Sequence, residues 1–389
     1  MLHEFKNSAI SSTKLEGKLN KLDKNPLALS EKIVVIKVRG MAKRAAIILS
    51  GGRSERFQSA QETWQDKALV KLLGKPLLVH SVENVSEVVE EVVVCVNNEK
   101  RKTNYSKVLK KHGIENVRLV IDNQSNQLGG PLIGILTGLM AVNADYCFTL
   151  PSDMPLFQPK VIDYMFNSVK DARVVVPIWP NGRPETLTMV LKRPDGLEIT
   201  KTLCQLRRPR SDDIIRGALN VLLLSIDCEI RDFDPKLKSF ININSQTDLT
   251  QMQPRQAQGP VTESLRLNLG DLPIPELHQL QNASTLFNEG KFLEASKLLS
   301  SCAARLETAC SCFWAAISRE NEGKSLLNLS RQQSEQTVAA EQACRGKEAL
   351  ANACSNYELE SKMYRGAHAL FLAERAKSNM QWCSSQQAR

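Results

Sequence analysis

The sequence predicts a three-layer α/β fold with a mostly parallel central sheet, followed by an all-α region at its C-terminal end. From residue 45 to about residue 250, short apolar runs rich in Val, Ile and Leu alternate with stretches of helical periodicity. Continuous apolar strands of this kind are typical of a parallel sheet whose two faces are both covered by helices. From residue 275 onward the strand patterns stop, and apolar residues recur at helical spacing.

The α/β part is predicted from alternating strand and helix patterns. Its ligands are expected at the carboxyl ends of the strands, as in other open α/β sheets. The predicted strands cover residues 45–50, 92–96, 117–121, 146–150, 174–177, 186–191, 221–226 and 239–243. The predicted helices cover residues 76–88, 105–112, 131–140 and 161–169.

A change in composition divides the chain. Residues 253–274 hold several Pro, Gln and Gly and are predicted to be a linker between a domain at 41–252 and a helical domain at 275–389. Residues 1–40 are mixed and Lys-rich and are predicted to be a disordered extension. We expect the two domains to fold independently, with the helical one available to a protein partner.

One segment of the helical region, residues 288–299, resembles the turn between the paired helices of a tetratricopeptide repeat. Gly290, Phe292 and Ala295 stand where such a turn needs small and aromatic residues. Since no second period is evident, the sequence predicts either a bundle of three to five helices or a repeat-like domain.

The composition limits the classes of ligand and the compartment. The net charge of +9 favours anionic ligands such as nucleotides, whereas only 5% of residues are aromatic and no nucleic-acid-binding motif is present. Because of the missing motif, a nucleic-acid partner is not predicted. A membrane partner is not predicted either, because no apolar stretch approaches the ~20 residues that span a bilayer. The ten cysteines contain no C-x-x-C pair, which favours reduced thiols in a cytoplasmic protein.

The first predicted strand leads into a turn suited to phosphate binding. The run from Ala45 to Leu49 is followed by Ser50, Gly51 and Gly52. Glycines let backbone N–H groups approach an anion closely. The basic residues that follow, among them Arg56 and Lys67, supply positive charge for a triphosphate.

This string resembles the signature of the molybdenum cofactor guanylyltransferase family, in which a strand leads into L-x-G-G-x-S-x-R and then a D-K pair. The matching residues are Leu49, Gly51, Gly52, Ser54, Arg56, Asp66 and Lys67. Residues 58–65 make the loop before the D-K pair longer than in that family. The resemblance implies a Rossmann-like fold of the nucleotide-diphospho-sugar transferase type. It also implies transfer of GMP from GTP to molybdopterin with release of pyrophosphate.

The resemblance extends to the acidic residues that follow later strands. Asp153, in Leu-Pro-Ser-Asp-Met-Pro, resembles the C-D-x-P element and is expected to bind Mg²⁺ and to act in catalysis with Arg56 and Lys67. Asp122 precedes a G-P-L-x-G segment and is expected to bind either the base or the ribose. Asn97 follows the second strand and is placed near the base. The nucleotide-binding set is therefore Leu49, Ser50, Gly51, Gly52, Lys67, Asn97, Asp122 and Asp153.

Two further segments are expected to bind the second substrate. Arg183 and Glu185 lie in Asn-Gly-Arg-Pro-Glu-Thr-Leu, which partly matches the family's G-R-x-[HE]-P-L. Asn242 and Asn244 lie in Phe-Ile-Asn-Ile-Asn, which resembles the family's closing F-x-N-x-N. Arg183 is placed to contact a substrate phosphate, and the resemblance implies that the asparagines complete either the metal site or the pocket.

Other functions stay open at this point. Related enzymes that share the phosphate turn use other substrates: molybdopterin with CTP, adenosylcobinamide phosphate, or phospholactate. A protein of another class, a non-catalytic nucleotide-binding adaptor that uses its helical tail, would also fit the two-part organisation. The presence of Lys67 and Asp153 favours the enzyme.

Overall fold

The computed structural model describes residues 42–52, 66–122, 130–254, 257–261, 263–366 and 369–387. Its strands are β1 (Arg44–Leu49), β2 (Lys71–Leu72), β3 (Lys75–Pro76), β4 (Glu91–Val96), β5 (Val117–Ile121), β6 (Tyr146–Pro151), β7 (Val174–Ile178), β8 (Met189–Lys192), β9 (Asn220–Ser225) and β10 (Leu265–Asn268). The helices of the α/β part are α1 (Leu77–Ser86), α2 (Glu99–Lys111), α3 (Pro131–Ala141), α4 (Pro159–Asn167), α5 (Arg193–Gln205), α6 (Asp212–Ala218) and α7 (Gln246–Gln251). The helical tail consists of α8 (Ile274–Asn288), α9 (Phe292–Thr308), α10 (Cys312–Gln332), α11 (Gln336–Gly366) and α12 (Leu370–Gln387).

Eight of these strands form one sheet in the order β10-β9-β7-β8-β6-β1-β4-β5. β1 lies between β4 and β6 and is parallel to both, while β8 and β10 run antiparallel to their neighbours. In register, Leu49 pairs with Cys95 on one side and with Pro151 on the other. The carboxyl ends of three central strands are therefore level, and the loops that leave them start from one edge of the sheet.

The sheet is covered on both faces, as the continuous apolar strands predicted. Along β1, Ile47 faces one hydrophobic core and Ile48 faces the other, and both are fully buried. Helix α3 packs so closely that a Cβ atom at Gly138 would lie 2.2 Å from Cγ2 of Ile47. The mostly parallel three-layer sheet is thus confirmed, and its central strand is fixed from both sides.

The C-terminal region is helical, and its first turn matches the expected helix pair. Helices α8 and α9 are joined at Gly290, which has φ of +77°, and Phe287 meets Phe292 edge to face.

None of the helices in the described ranges is long and apolar enough to cross a membrane.

The helical tail shares a core with the sheet. Residues of α5, α6 and α10 belong to one hydrophobic cluster, and the indole N–H of Trp314 donates to the carbonyl of Gly217 at 2.9 Å. Residues 43–389 accordingly form one compact unit. Periodicity in the sequence shows which faces of the tail helices are apolar. It does not show that those faces pack against α5 and α6.

Two local expectations differ from the structure. Residues 239–243 do not form a strand: a 3-10 turn, Lys238–Phe240, is followed by an extended segment in which the N–H of Ile243 donates to the carbonyl of Asp153 at 2.8 Å. The predicted linker at 253–274 contains β10, which pairs with β9 at the sheet edge. In both segments a tertiary partner decides where the backbone hydrogen bonds go. The division of the chain into domains itself stays a prediction, and residues 1–40 lie outside the described ranges.

Candidate active site

The turn that follows β1 is held by hydrogen bonds from two neighbouring elements. The N–H of Ser50 donates to Cys95 at 2.9 Å, and its hydroxyl lies 3.0 Å from the hydroxyl of Tyr105. The amide of Asn97 donates to the carbonyl of Gly51 at 3.1 Å. Ser50, Gly51 and Asn97, three of the predicted nucleotide-binding residues, are therefore in one network.

The Asp-Lys pair is anchored to the same turn through Asp66. Its carboxylate pairs with Nε of buried Arg101 at 2.9 Å and accepts from the hydroxyl of Tyr105 at 3.0 Å. Arg101 also donates to the carbonyl of Ser50 at 3.2 Å. Asp66 caps the 3-10 turn Lys67–Leu69 as well, so it sets the position from which the Lys67 side chain starts.

The sequence patterns did not predict Arg101 or Tyr105 as part of the site. Both lie on α2, four residues apart, and with Leu109 they form its buried face. An arginine and a tyrosine on a helical stripe that faces the sheet are the signal that could have identified them, because a buried guanidinium requires a carboxylate partner.

Lys67 joins two loops that are distant in sequence. Its ammonium donates to Oδ2 of Asp153 at 2.8 Å and to Oδ1 of Asn244 at 2.7 Å. The side chains of Lys67 and Asp153 are 15% and 25% exposed, so the group can be reached from solvent. Oδ1 of Asp153 is buried and has no hydrogen-bond partner among the described residues. A carboxylate oxygen in that state is suited to a cation or a donor from a ligand.

Asn244 is fixed in this cluster by its own loop. Its N–H donates to Oδ2 of Asp248 at 2.7 Å, and Asp248 forms a capping box with Ser245 at the start of α7. Asn242, two residues earlier, is exposed. Of the two predicted asparagines, the structure therefore brings Asn244 to Lys67 and Asp153.

Asp122 follows β5 and forms a second polar position at the same edge. A Cβ atom at Gly51 would lie 3.0 Å from its Oδ2, and one at Gly134 would lie 3.7 Å from its Oδ1. Burial raises the pKa of Asp122 to about 6. Its Oδ1 is buried without a hydrogen-bond partner in the described ranges, so two glycines make room for a carboxylate that is ready to accept a hydrogen bond.

The structure describes the contacts that Arg183 and Glu185, the predicted acceptor-binding residues, make within the protein. The guanidinium of Arg183 lies over the ring of Phe371 on α12, 5.7 Å from its centroid. Glu185 accepts a hydrogen bond from the indole of Trp179. Within the described residues both side chains thus contact aromatic groups, and the Lys67 cluster is not among their contacts. Arg56, together with Arg53 and Ser54, lies outside the described residues.

A divalent metal fits this arrangement in one way. The described residues contain no group of three His, Cys, Asp or Glu side chains that could hold a metal by themselves. Mg²⁺, however, is usually held by one or two carboxylates, with substrate phosphates and water completing its octahedron. Asp153 offers Oδ1 for that purpose while Lys67 occupies Oδ2. The residues present therefore fit a metal that arrives with a phosphorylated substrate.

The fold and this edge together define a class of protein. A glycine turn after β1, an aspartate at the carboxyl end of a parallel strand and a lysine paired with that aspartate are typical of a nucleotide-binding α/β protein. The model of the MobA-like NTP transferase domain matches residues 46–216 of the chain.

Several curated proteins resemble the chain over the same part. A probable molybdenum cofactor guanylyltransferase of Methanosarcina acetivorans is 32% identical over 210 residues, which cover 54% of this chain and 89% of that protein. A protein of the same description from Thermococcus sibiricus is 30% identical over 214 residues, covering 53% and 96%. Among solved structures, molybdopterin-guanine dinucleotide biosynthesis protein A from Archaeoglobus fulgidus is 21% identical, with a TM-score of 0.44 and coverage of 54% and 96%.

The chain therefore belongs to the MobA-like NTP transferase family, and it is a nucleotidyltransferase. The family model ends before the helical tail begins, so family membership describes only the α/β part.

Proposed function

We propose that the protein transfers GMP from GTP to molybdopterin in a Mg²⁺-dependent reaction that releases pyrophosphate. The observation that carries this proposal is the position of Lys67, whose ammonium lies between Asp153 and Asn244 at the edge where the Gly51 turn begins. The relatives described as molybdenum cofactor guanylyltransferases support the choice of substrates.

The reaction requires alignment and charge neutralisation more than proton transfer. The phosphate of the acceptor is already ionised and attacks the α-phosphorus of GTP, so a general base is not needed. Lys67 would neutralise negative charge that builds on the triphosphate as pyrophosphate leaves. The turn at Gly51 and Gly52 would hold the phosphates through backbone N–H groups, which restricts the reacting atoms to an in-line arrangement.

Asp153 would hold the metal through Oδ1, with Asn244 beside it. A bound Mg²⁺ would supply further neutralisation of phosphate charge. Arg56, which lies outside the described residues, would contribute to the same neutralisation.

Asp122 would bind the nucleoside. An ionised carboxylate can accept from a ribose hydroxyl or from the N1–H and N2–H₂ edge of guanine, which adenine lacks. Its buried Oδ1 supports either role. A cytoplasmic location belongs to the same proposal, since the ten cysteines are all free thiols and a reducing compartment keeps them so.

The test uses the purified full-length protein with molybdopterin, Mg²⁺ and one nucleotide at a time, with pyrophosphate and dinucleotide product both measured. We expect product with GTP and much less with CTP or ATP. Product with CTP instead, or with adenosylcobinamide phosphate or phospholactate in place of molybdopterin, would reassign the substrates. Absence of metal-dependent pyrophosphate release with every pair would indicate the non-catalytic adaptor.

A further inference from the structure

The loop between β7 and β8, residues 179–188, lies next to the Asp153 loop. The hydroxyl of Thr188 contacts Sδ of Met154 at 3.5 Å. Met154 is the residue that follows Asp153 in the sequence. Thr149 of β6 donates to the carbonyl of Leu187 at 2.9 Å. The β7–β8 loop therefore borders the candidate active site through residues 187 and 188.

A basic segment, residues 207–211, extends this border. The hydroxyl of Ser211 donates to that of Thr186 at 3.0 Å, which ties the segment to the β7–β8 loop. The carbonyl of Pro209 lies 3.4 Å from the position of a Cβ at Gly130, where α3 begins. Arg207 and Arg210 are exposed on this segment. The β7–β8 loop and the basic segment together form a wall beside the site, on which Arg207 and Arg210 are exposed.

The last helix of the tail contacts both parts of this wall. Nε of Arg375 donates to Oδ2 of Asp212 at 3.1 Å, and Nε of Arg210 donates to Oδ1 of the same carboxylate at 2.9 Å. In its first turn, Phe371 lies under the guanidinium of Arg183. Asp212 thus links a residue of the tail to the exposed Arg210.

Behind the wall, the tail is fixed to α6 by buried ion pairs. Arg216 makes two hydrogen bonds of 2.7 Å to Glu360 on α11. Arg208, within the basic segment, pairs with Asp213 at 2.8 Å and with Glu320 of α10 at 3.2 Å. Because buried pairs of this kind resist separation, the tail cannot move far from α6 without exposing unpaired charges.

We propose that the helical tail positions the acceptor-binding side of the active site, with Arg375 acting through Asp212 on the basic segment. The inference rests on the proposed function, because an acceptor that carries a phosphate is the ligand that exposed arginines on this wall would attract. Arg375 is a positioning residue: its contact is with Asp212, and Arg210, the exposed partner of the same carboxylate, would be the group that contacts the ligand. The donor side, built on β1, β4 and β5, is independent of this contact.

The kinetic test compares Arg375→Ala with Arg305→Ala. Arg305 of α9 pairs with Glu276 of α8 at 3.0 Å, so its removal breaks a similar pair inside the tail. Asp212 keeps Arg210 as a partner when Arg375 is lost, and folding should be retained. We expect Arg375→Ala to raise KM for the acceptor about three- to tenfold, less than the roughly tenfold or more of a lost charged hydrogen bond to a ligand, because Arg375 acts through Asp212; KM for GTP should be unchanged. Arg375→Lys should restore part of the difference, and Arg305→Ala should match the parent.

A second readout does not depend on turnover. Amide hydrogen exchange in residues 182–188 and 211–213 should be faster in Arg375→Ala than in Arg305→Ala. An unchanged KM for the acceptor would overturn the inference. A general defect, in which kcat and Tm fall and both KM values rise together, would overturn it as well. If the parent protein transfers nothing to any acceptor, the proposed function fails. The positioning role is then tested by amide hydrogen exchange alone, and equal exchange rates in the two variants would overturn it.

Discussion

Two charged clusters in this molecule each combine basic and acidic side chains, and they differ in how many of their polar atoms have a partner within the protein. The site cluster consists of Lys67, Asp122, Asp153 and Asn244. The interface cluster, between α6 and the helical tail, consists of Arg208, Asp213, Arg216, Glu320, Tyr357 and Glu360. In the interface cluster both arginines pair with two carboxylates each. In the site cluster two carboxylate oxygens have no partner among the described residues.

Burial separates the clusters in the same way, whereas the direction of the pKa shift depends on the residue, since burial raises the pKa of Glu360 although Arg216 opposes it. Arg216 and Glu360 are 1% and 2% exposed, so their charges are paired away from water. Burial would raise the pKa of Glu320, but Lys324 and Arg208 hold it down to about 2. In Asp122 burial prevails and the pKa rises. A buried acid whose charge is compensated within the protein supports the fold, whereas one that is not compensated is available to a ligand.

The largest expected effect on stability comes from the interface cluster. Glu360→Ala removes the bidentate partner of buried Arg216 and should lower the free energy of unfolding by about 3–5 kcal/mol, the cost of breaking a buried pair. Chemical denaturation measures it. Glu358→Ala, on the same helix, breaks an exposed pair with Lys362 and should leave the denaturation midpoint unchanged. Equal effects of the two substitutions would remove the distinction between structural and surface pairs.

The largest expected effect on activity comes from Lys67. Lys67→Ala should lower kcat/KM by at least ~10²-fold, as expected when one electrostatic contact to a transition state is lost. Tm should change little, because the side chains of Lys67 and Asp153 are both partly exposed and water can hydrate Asp153. Lys71→Ala, an exposed lysine four residues away, is the matched control. Near-normal turnover of Lys67→Ala would show that its pair with Asp153 is only structural.

Asp153→Asn keeps the shape of the side chain and removes its charge. Activity should be largely lost, and the Mg²⁺ concentration for half-maximal rate should shift upward, because a neutral amide is a weaker ligand for a hard cation. A titration of rate against Mg²⁺ measures this shift. The control is Asp163→Asn, which breaks the half-exposed pair with Arg44 away from the site. If the metal titration of Asp153→Asn overlays that of the parent, the metal is held elsewhere.

The smallest effect should come from Asp122 and should depend on pH. Its pKa in the folded protein, about 6, lies above the ordinary value of 3.8, so the folded state binds the proton more tightly than the unfolded state. Stability at this position is therefore lost as pH rises from about 4 to 6. Because asparagine cannot ionise, Asp122→Asn should raise Tm relative to the parent at pH 7.5 more than at pH 4.5. A Tm difference that is constant with pH would contradict the role of burial.

The sheet and one side of the site could be predicted because their signals are local. The valine-rich runs of β4 and β7 are long enough to specify buried strands. In a parallel sheet, strand ends converge, so Gly51, Asp122 and Asp153 were expected at one edge before any contact was known. Arg101 was not, since its importance depends on Asp66, which lies in another loop.

The amino-acid sequence by itself determined the central strands of the sheet, the helical character of the C-terminal region, where the glycine turn lies and which acids follow the strands. Backbone propensity and the periods of 2 and 3.6 residues are properties of neighbouring residues, so they can be read along the chain. Tertiary structure decided that residues 239–243 bring Asn244 to Lys67, that β10 joins the sheet, and that the helical tail packs on α6. These outcomes depend on which helices and strands pack their apolar faces together. They also depend on which hydrogen-bonding and charged groups, far apart in sequence, lie close enough to pair.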